Sequence, residues 1–284
     1  RFGDTASIPY EYNGGVYALP DQQSFYIMFY RTDIFEQLGI TPPTLENPWT
    51  WDDYLATTAV LQRNNMNSYL PYTKISNATV VNTGVGGLNL FCSILMQYGG
   101  DIYNAERNYC LLDSATSLQA FTYWTDMYTK YKVPAEASFY NRFRVGTMPL
   151  GIMAYTQYTT LVEAAPEIAG RWAIATIPGI ERTDENGNTY IDQTISGSGT
   201  GCSILETSKN QLEAWTFLKW WTSAEVQSRY NTNVESIIGT ISRITTANLK
   251  AFEDMAWERN DLEILLKQRE WIVEVPEVPG SYYV

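Results

Sequence analysis

The chain contains no histidine. Without imidazole there is no Ser-His-Asp or Cys-His catalytic arrangement, no histidine-ligated zinc, and no usual general base near neutral pH. Cysteine is scarce too: Cys92, Cys110 and Cys202 are odd in number, lack metal-type spacing and sit in apolar company (LFCSIL, NYCLL, GCSIL). They read as buried free thiols, and no disulfide framework is expected. No apolar run reaches transmembrane length, and no stretch has the form of a signal peptide. Positive charge is short: 19 Lys and Arg face 31 Asp and Glu, a formal net charge of −12. Such a surface repels phosphate backbones and anionic lipid heads, which counts against nucleic-acid and peripheral-membrane roles.

What is present suits a sizeable core. The 284 residues exceed a usual single domain, so two lobes are expected, and 45 % of them are hydrophobic. Strand-forming residues at 16–19 and 25–30 flank a polar gap, DQQS, after Pro20. That gap could be a hairpin, or a place where the chain leaves one sheet for another. TDIFEQLG reads as a short helix ended by Gly39, with Pro42 and Pro43 forbidding its continuation. Thr50 and Asp53 form a capping-box start for WDDYLATTAVLQRNN, in which Trp51, Leu55 and Ala59 share a face. SYLPYT is an expected strand, and LNLFCSILMQYGG an expected buried helix closed by Gly99 and Gly100.

The spacing predicts an amphipathic helix over 114–131, with Leu118, Phe121, Met127 or Tyr128, and Tyr131 on its apolar face. TMPLGIMA and RWAIATIPG read as strands around a helix over 156–165. ERTDENGNTYIDQT has turn composition and reads as an exposed hairpin. CSIL reads as a strand, followed by a helix over 210–223 with a buried stripe of Trp215, Leu218 and Trp221, and then mostly helix to about 271. Strands alternating with helices indicate an α/β protein.

Four constellations bear on chemistry. Asp21, Asp52, Asp53, Asp101 and Glu163 could serve a histidine-free glycosidase, but no spacing marks a pair among them. DENGNTYID resembles a calcium loop only through Asp184, Asn186 and Asn188; its glycine stands at the fourth position and Ile195 replaces the closing glutamate, so a hairpin turn is favoured. GSGTG lacks the lysine of a nucleotide loop and precedes a strand, which fits a chain crossing or close backbone packing better. Aromatics make up 14 % of the chain. In GIMAYTQYTTL, Tyr155, Gln157 and Tyr158 fall at a strand-to-helix junction, where ring faces and a neutral amide would suit a sugar, although core packing would equally explain such rings.

GGVYALPDQQSFYIMFYRTDIFEQLGITPP followed by TWDDYLATTAVLQ resembles the extracellular solute-binding proteins of ABC transporters, family 1, which bind mainly sugars. NRFRVGTMPLGIMAYTQYTTLVEAAPEIAGRWAIATIPG, SGSGTGCSILETSKNQLEAWTFLKWWTSAEVQSRY and WIVEVPEVPGSYYV resemble later segments of that family, in order. The resemblance implies the two-lobe periplasmic-binding-protein type II fold with the first lobe incomplete, so the chain is expected to be a fragment. Residues 1–20 would hold part of lobe 1 and the first crossing, 21–196 lobe 2, and 197–284 the return crossing and lobe 1 helices.

Leu19, Pro20, Gly197, Gly199 and Gly201 would be hinge positions about which the lobes close. Asp21, Gln22, Gln23 and Ser24, Asn89, Tyr155, Gln157 and Tyr158, and Tyr282 and Tyr283 would contact the ligand. The function so implied is capture of a sugar or oligosaccharide by the extracytoplasmic component of an ABC importer. It is non-enzymatic, needs no cofactor or metal, and works with permease subunits on the outer face of the cell membrane or in the periplasm, with a lipid anchor on the full-length protein. A glycan-capture or adhesion module without a transporter and a glycoside hydrolase are the alternatives, and a peptide, polyol or sulfated ligand stays open.

Overall fold

All six residues from Tyr26 to Arg31 are buried, and a strand buried on both faces needs a layer on each side. The computed structural model, which describes residues 2, 6–7, 10–12, 14–71, 89–135 and 137–273, supplies those layers. Two short strands, β1 (Glu11–Tyr12) and β2 (Gly15–Val16), pair antiparallel and lead to β3 (Leu19–Ser24). After the fully buried Phe25 the chain becomes β4 (Tyr26–Arg31). There follow α1 (Thr32–Leu38), α2 (Trp51–Arg63), β5 (Ser68–Tyr69), α3 (Leu90–Gln97), α4 (Ala115–Thr129), α5 (Phe139–Arg144), β6 (Leu150–Ala154), α6 (Gln157–Ala164) and β7 (Trp172–Ala175). β4 lies inside a four-stranded sheet of order β5-β6-β4-β7, antiparallel to both of its neighbours.

Local chemistry sets the ends of these elements. Gly39 ends α1 at φ 66°, a left-handed conformation that glycine adopts without Cβ strain. Thr50 and Asp53 close a reciprocal capping box on α2, the carboxylate of Asp53 accepting from the Thr50 N–H at 2.8 Å. Trp51 and Leu55 turn inward beneath it, as their spacing predicts. On the sheet, the Phe29 ring meets Phe139 and Trp172, with centroids 6.2 and 6.1 Å away. Arg31 ends β4 buried, paired with Asp33 at 2.7 Å and donating to the carbonyls of Phe143 and Arg144.

The second half begins with a hairpin of β8 (Ile180–Thr183) and β9 (Thr189–Asp192). Asp184 holds its turn by accepting from the N–H groups of Asn186 and Asn188, so that side chain is spent on the turn. Next come β10 (Ile195–Ser196), β11 (Ser198–Cys202), α7 (Gln211–Trp221), α8 (Ala224–Ile238), α9 (Leu249–Glu253), α10 (Arg259–Arg269) and β12 (Ile272–Val273), the last parallel to β10. Buried glutamines join these parts to the sheet layer. Gln97 accepts from the Trp51 indole at 2.7 Å and donates to the Thr194 carbonyl, while Gln268 accepts from the Ile177 N–H and donates to the Gln193 carbonyl.

The α/β class follows the sequence expectation, but several faces do not. On α4 the buried positions are Ser117, Ala120 and Met127, while Leu118 and Phe121 are exposed. Met127 is buried as expected, whereas the Phe121 ring stays at the surface and packs edge-on against Phe91 of α3. Of the stripe expected on α7 only Leu218 is buried, Trp215 is exposed and Trp221 half-buried. Cys92 alone of the three cysteines is buried, Cys110 being exposed and Cys202 intermediate. Burial pushes the Cys92 thiol up to about 12.

Gly179 is where two segments touch. Its N–H donates to the Trp49 carbonyl and its carbonyl accepts from the Trp51 N–H, and a Cβ there would stand 2.3 Å from the backbone oxygen of Asp192. Gly179→Ala is therefore expected to cost about 1–3 kcal/mol of stability, the range for forced overpacking. A denaturant melt indistinguishable from wild type would show that the contact yields freely.

Candidate functional site

The polar gap of the sequence is itself a strand. β3 covers Leu19–Ser24 and pairs antiparallel with β11, in the register Ser24↔Ser198, Gln23↔Gly199, Gln22↔Thr200, Pro20↔Gly201 and Leu19↔Cys202. It therefore belongs to a different sheet from β4, one residue further on. Neither a hairpin of 16–19 with 25–30 nor a strand at CSIL is formed, since GSGTG does the pairing. Pro20 has no N–H to give the ladder, and the register slips beside it between Thr200 and Gly201, where a bulge absorbs the defect. Glycine is needed opposite: a Cβ on Gly199 would lie 2.8 Å from the Gln22 carbonyl oxygen, and one on Gly201 2.7 Å from the Tyr10 ring.

A third stretch, which the sequence did not disclose, runs along the other edge of β3. The Gln23 N–H donates to the Thr245 carbonyl at 2.7 Å, and the Ala247 N–H donates to the Asp21 carbonyl at 3.0 Å. Gln22 and Thr246 form an antiparallel bridge between them. The only signal was the β-branched run Ile244, Thr245 and Thr246, too short to stand out. β3 is thus central to three adjoining chain passages rather than to two.

Side chains on β3 are distributed among neighbours. Asp21 accepts from the Trp221 indole N–H at 2.8 Å. Gln22 is exposed and accepts from the Thr245 hydroxyl at 3.1 Å. Gln23 is buried and accepts from the Arg269 guanidinium at 2.9 Å, while Ser24 is half-buried. Burial lowers the pKa of that guanidinium to about 10, which leaves it charged at neutral pH. Of the remaining positions expected at a hinge, Leu19 and Pro20 lie in β3, and Gly197 donates its N–H to the Val273 carbonyl just before β11.

The β6–α6 junction meets the same place, for the Tyr155 N–H donates to the Phe25 carbonyl at 2.9 Å. Tyr155 does not form the open stacking platform expected of it. It is 2 % exposed, its ring stacks on Phe25 at 4.5 Å, and Phe252 and Trp257 cover it further. Tyr158 is likewise turned inward, packed edge-on against Trp172 and Trp257 with its hydroxyl donating to Asp261 at 2.7 Å. Trp257 in turn lies under Arg243, which pairs with Glu235 at 2.6 Å. The Tyr155 hydroxyl, the Gln157 amide nitrogen and the Arg243 Nη1 are buried without a hydrogen-bond partner among the described residues. Asn89 caps α3, accepting from the Cys92 N–H, and its own N–H donates to Ser196 Oγ next to β11. Tyr282 and Tyr283 fall outside the described residues.

With that geometry in place, comparison with known proteins decides the family. The model of the bacterial extracellular solute-binding protein family matches residues 3–259. The chain belongs to that family. The lactose-binding protein of Rhizobium radiobacter is 25 % identical over 211 residues, covering 72 % of this chain and 45 % of its own. Among solved structures, the sugar-binding protein MalE of Xanthomonas citri superposes with a TM-score of 0.71 at 17 % identity, covering 98 % of this chain and 65 % of that one. A solute-binding protein of Thermotoga lettingae bound with α-D-tagatose gives 0.65 at 19 % identity, over 96 % and 65 %. The fold is that of solute-binding proteins, and the chain spans about half the length of the curated relative it matches.

Asp261 supplies a pH test of the junction. Burial holds its carboxyl above the ordinary range, and the hydrogen bond from Tyr158 opposes that shift only in part. A carboxyl whose folded pKa is raised favours folding when protonated, and that contribution is lost as pH rises through the folded pKa. Asp261→Asn removes the loss, so its melting temperature should rise relative to wild type between about pH 4 and pH 7. A constant difference across that range would show that Asp261 titrates as it does in the unfolded chain.

Proposed function

We propose that the protein captures an uncharged sugar or oligosaccharide as the solute-binding component of an ABC importer. The observation that carries this is the set of three adjoining passages at β3, the strand that carries Asp21, Gln22, Gln23 and Ser24 and meets the Tyr155–Tyr158 junction through Phe25. Amides, hydroxyls and a carboxylate in such a place match the donors and acceptors of a polyhydroxylated solute. Closure about adjoining strands lets binding energy shift an open population to a closed one. The protein would act outside the cytoplasm, the closed form docking on permease subunits and the full-length protein held by a lipid anchor. Tyr155 and Tyr158 then serve the site by holding its wall, with Asn89, Gln157, Tyr282 and Tyr283 as further contacts.

A melting screen with lactose, maltose and D-tagatose tests this. A sugar at a hundred times its dissociation constant adds about 2.7 kcal/mol of stability. Gln22→Ala, at an exposed position, should leave the unliganded melt within ~0.5 kcal/mol of wild type. It should weaken binding of the stabilising sugar by about 1 kcal/mol, one neutral hydrogen bond. No shift with any sugar, or release of new reducing ends from glycans, would replace capture with another activity.

A further inference from the structure

Three arginines are buried among the described residues: Arg31, Arg243 and Arg269. The first pairs with Asp33 and the second with Glu235. Arg269 has no carboxylate partner among the described residues; its hydrogen bonds run from Nη2 to the Gln23 amide oxygen at 2.9 Å and the Ala247 carbonyl at 3.2 Å, and from Nη1 to the Thr246 carbonyl at 3.3 Å. The guanidinium carbon lies 4.6 Å from the centre of the Phe252 ring, the same ring that covers Tyr155.

A buried charge without a counter-charge is costly, and a neutral side chain at the end of α10 would avoid the cost. What a neutral side chain lacks is the planar fork of donors, which can hold two strands at once. Here the fork reaches β3 through Gln23 and the third passage through the carbonyls of residues 246 and 247.

We propose that Arg269 is the positioning residue of the joint: it fixes the Gln23 side chain and limits how far β3 and residues 245–247 shift against each other when a solute is taken up. The neutral partners it has among the described residues fit this role. An ion pair would lock one register, whereas two neutral carbonyls on successive residues can take over from one another as the strands slide. The purpose of the device rests on the solute-capture reading, but its test does not.

Amide hydrogen exchange of the unliganded protein is the test. Arg269→Met should speed exchange of the Gln23 and Ala247 amides at least about tenfold, the order lost with one charged hydrogen bond. The amides of residues 27–30 inside β4 should keep their wild-type rates. Arg269→Lys, which keeps charge and reach but not the fork, should recover part of the protection. Gln23→Glu sets a carboxylate against the fork and should slow exchange at Ala247 below the wild-type rate. Unchanged Gln23 and Ala247 rates in Arg269→Met, or equal acceleration through β4, would overturn the role. If Arg269→Met does not fold, Gln23→Glu decides alone, and no slowing at Ala247 overturns it. A sugar screen without hits would remove the capture reading and leave this result standing; unchanged exchange would do the reverse.

Discussion

The antiparallel pairing of β3 with β11 is the constraint on which the rest of the structure depends. It brings together residues nearly two hundred positions apart, and a third passage at 245–247 completes the set. Long-range pairing of this kind costs loop-closure entropy that only many concurrent contacts can offset. Those contacts are present: two backbone hydrogen bonds to the third passage, the Trp221–Asp21 bond, and the buried Arg269 fork on Gln23. Glycine at 199 and 201 is what lets the neighbouring backbone and the Tyr10 ring come close enough.

From that pairing the surroundings follow. Phe25, the single residue between β3 and β4, is fully buried and stacks on Tyr155, so the strand that ends one sheet is keyed to the junction that ends another strand of the next. Tyr155 leans on Phe252 and Trp257, Tyr158 on Trp257 and Asp261, and Arg243 lies over Trp257. A change in the relative placement of the three passages is thereby felt at the junction, through packed rings that have few alternative arrangements. The Tyr155 hydroxyl, Gln157 amide nitrogen and Arg243 Nη1, which have no hydrogen-bond partner among the described residues, belong to this same set of side chains.

How much of this could be read from the residues depends on the range of the interactions. Local rules sufficed for the capping box at Thr50 and Asp53, the glycine end of α1 and the hairpin around Asp184, because each is settled within a few residues. Helix faces were less legible. Leu118 and Trp215 outrank Ala120 and Leu218 in size, yet the smaller side chains are the buried ones, so apolar size alone does not give the buried face. LPDQQS gave no strand signal since proline and amides are poor strand formers, and only pairing with a glycine-rich partner makes it one. The strand-to-helix junction was legible as a cluster of ring-bearing positions and its packing was not: nothing near Tyr155 and Tyr158 in sequence shows that Phe25, Phe252, Trp172 and Trp257 pack against them. Arg269 and residues 245–247 were missed because their partners stand far along the chain.

A crystal structure with the sugar that stabilises the protein most is the most direct test of the joint as the capture site. The sugar is expected against the side chains of residues 21–24 and the 155–158 junction, with β3, β11 and residues 245–247 still adjoining. Density for the sugar on a distant face, such as the groove between Tyr98 and Asp126 on α4, with β3 uncontacted, would contradict it.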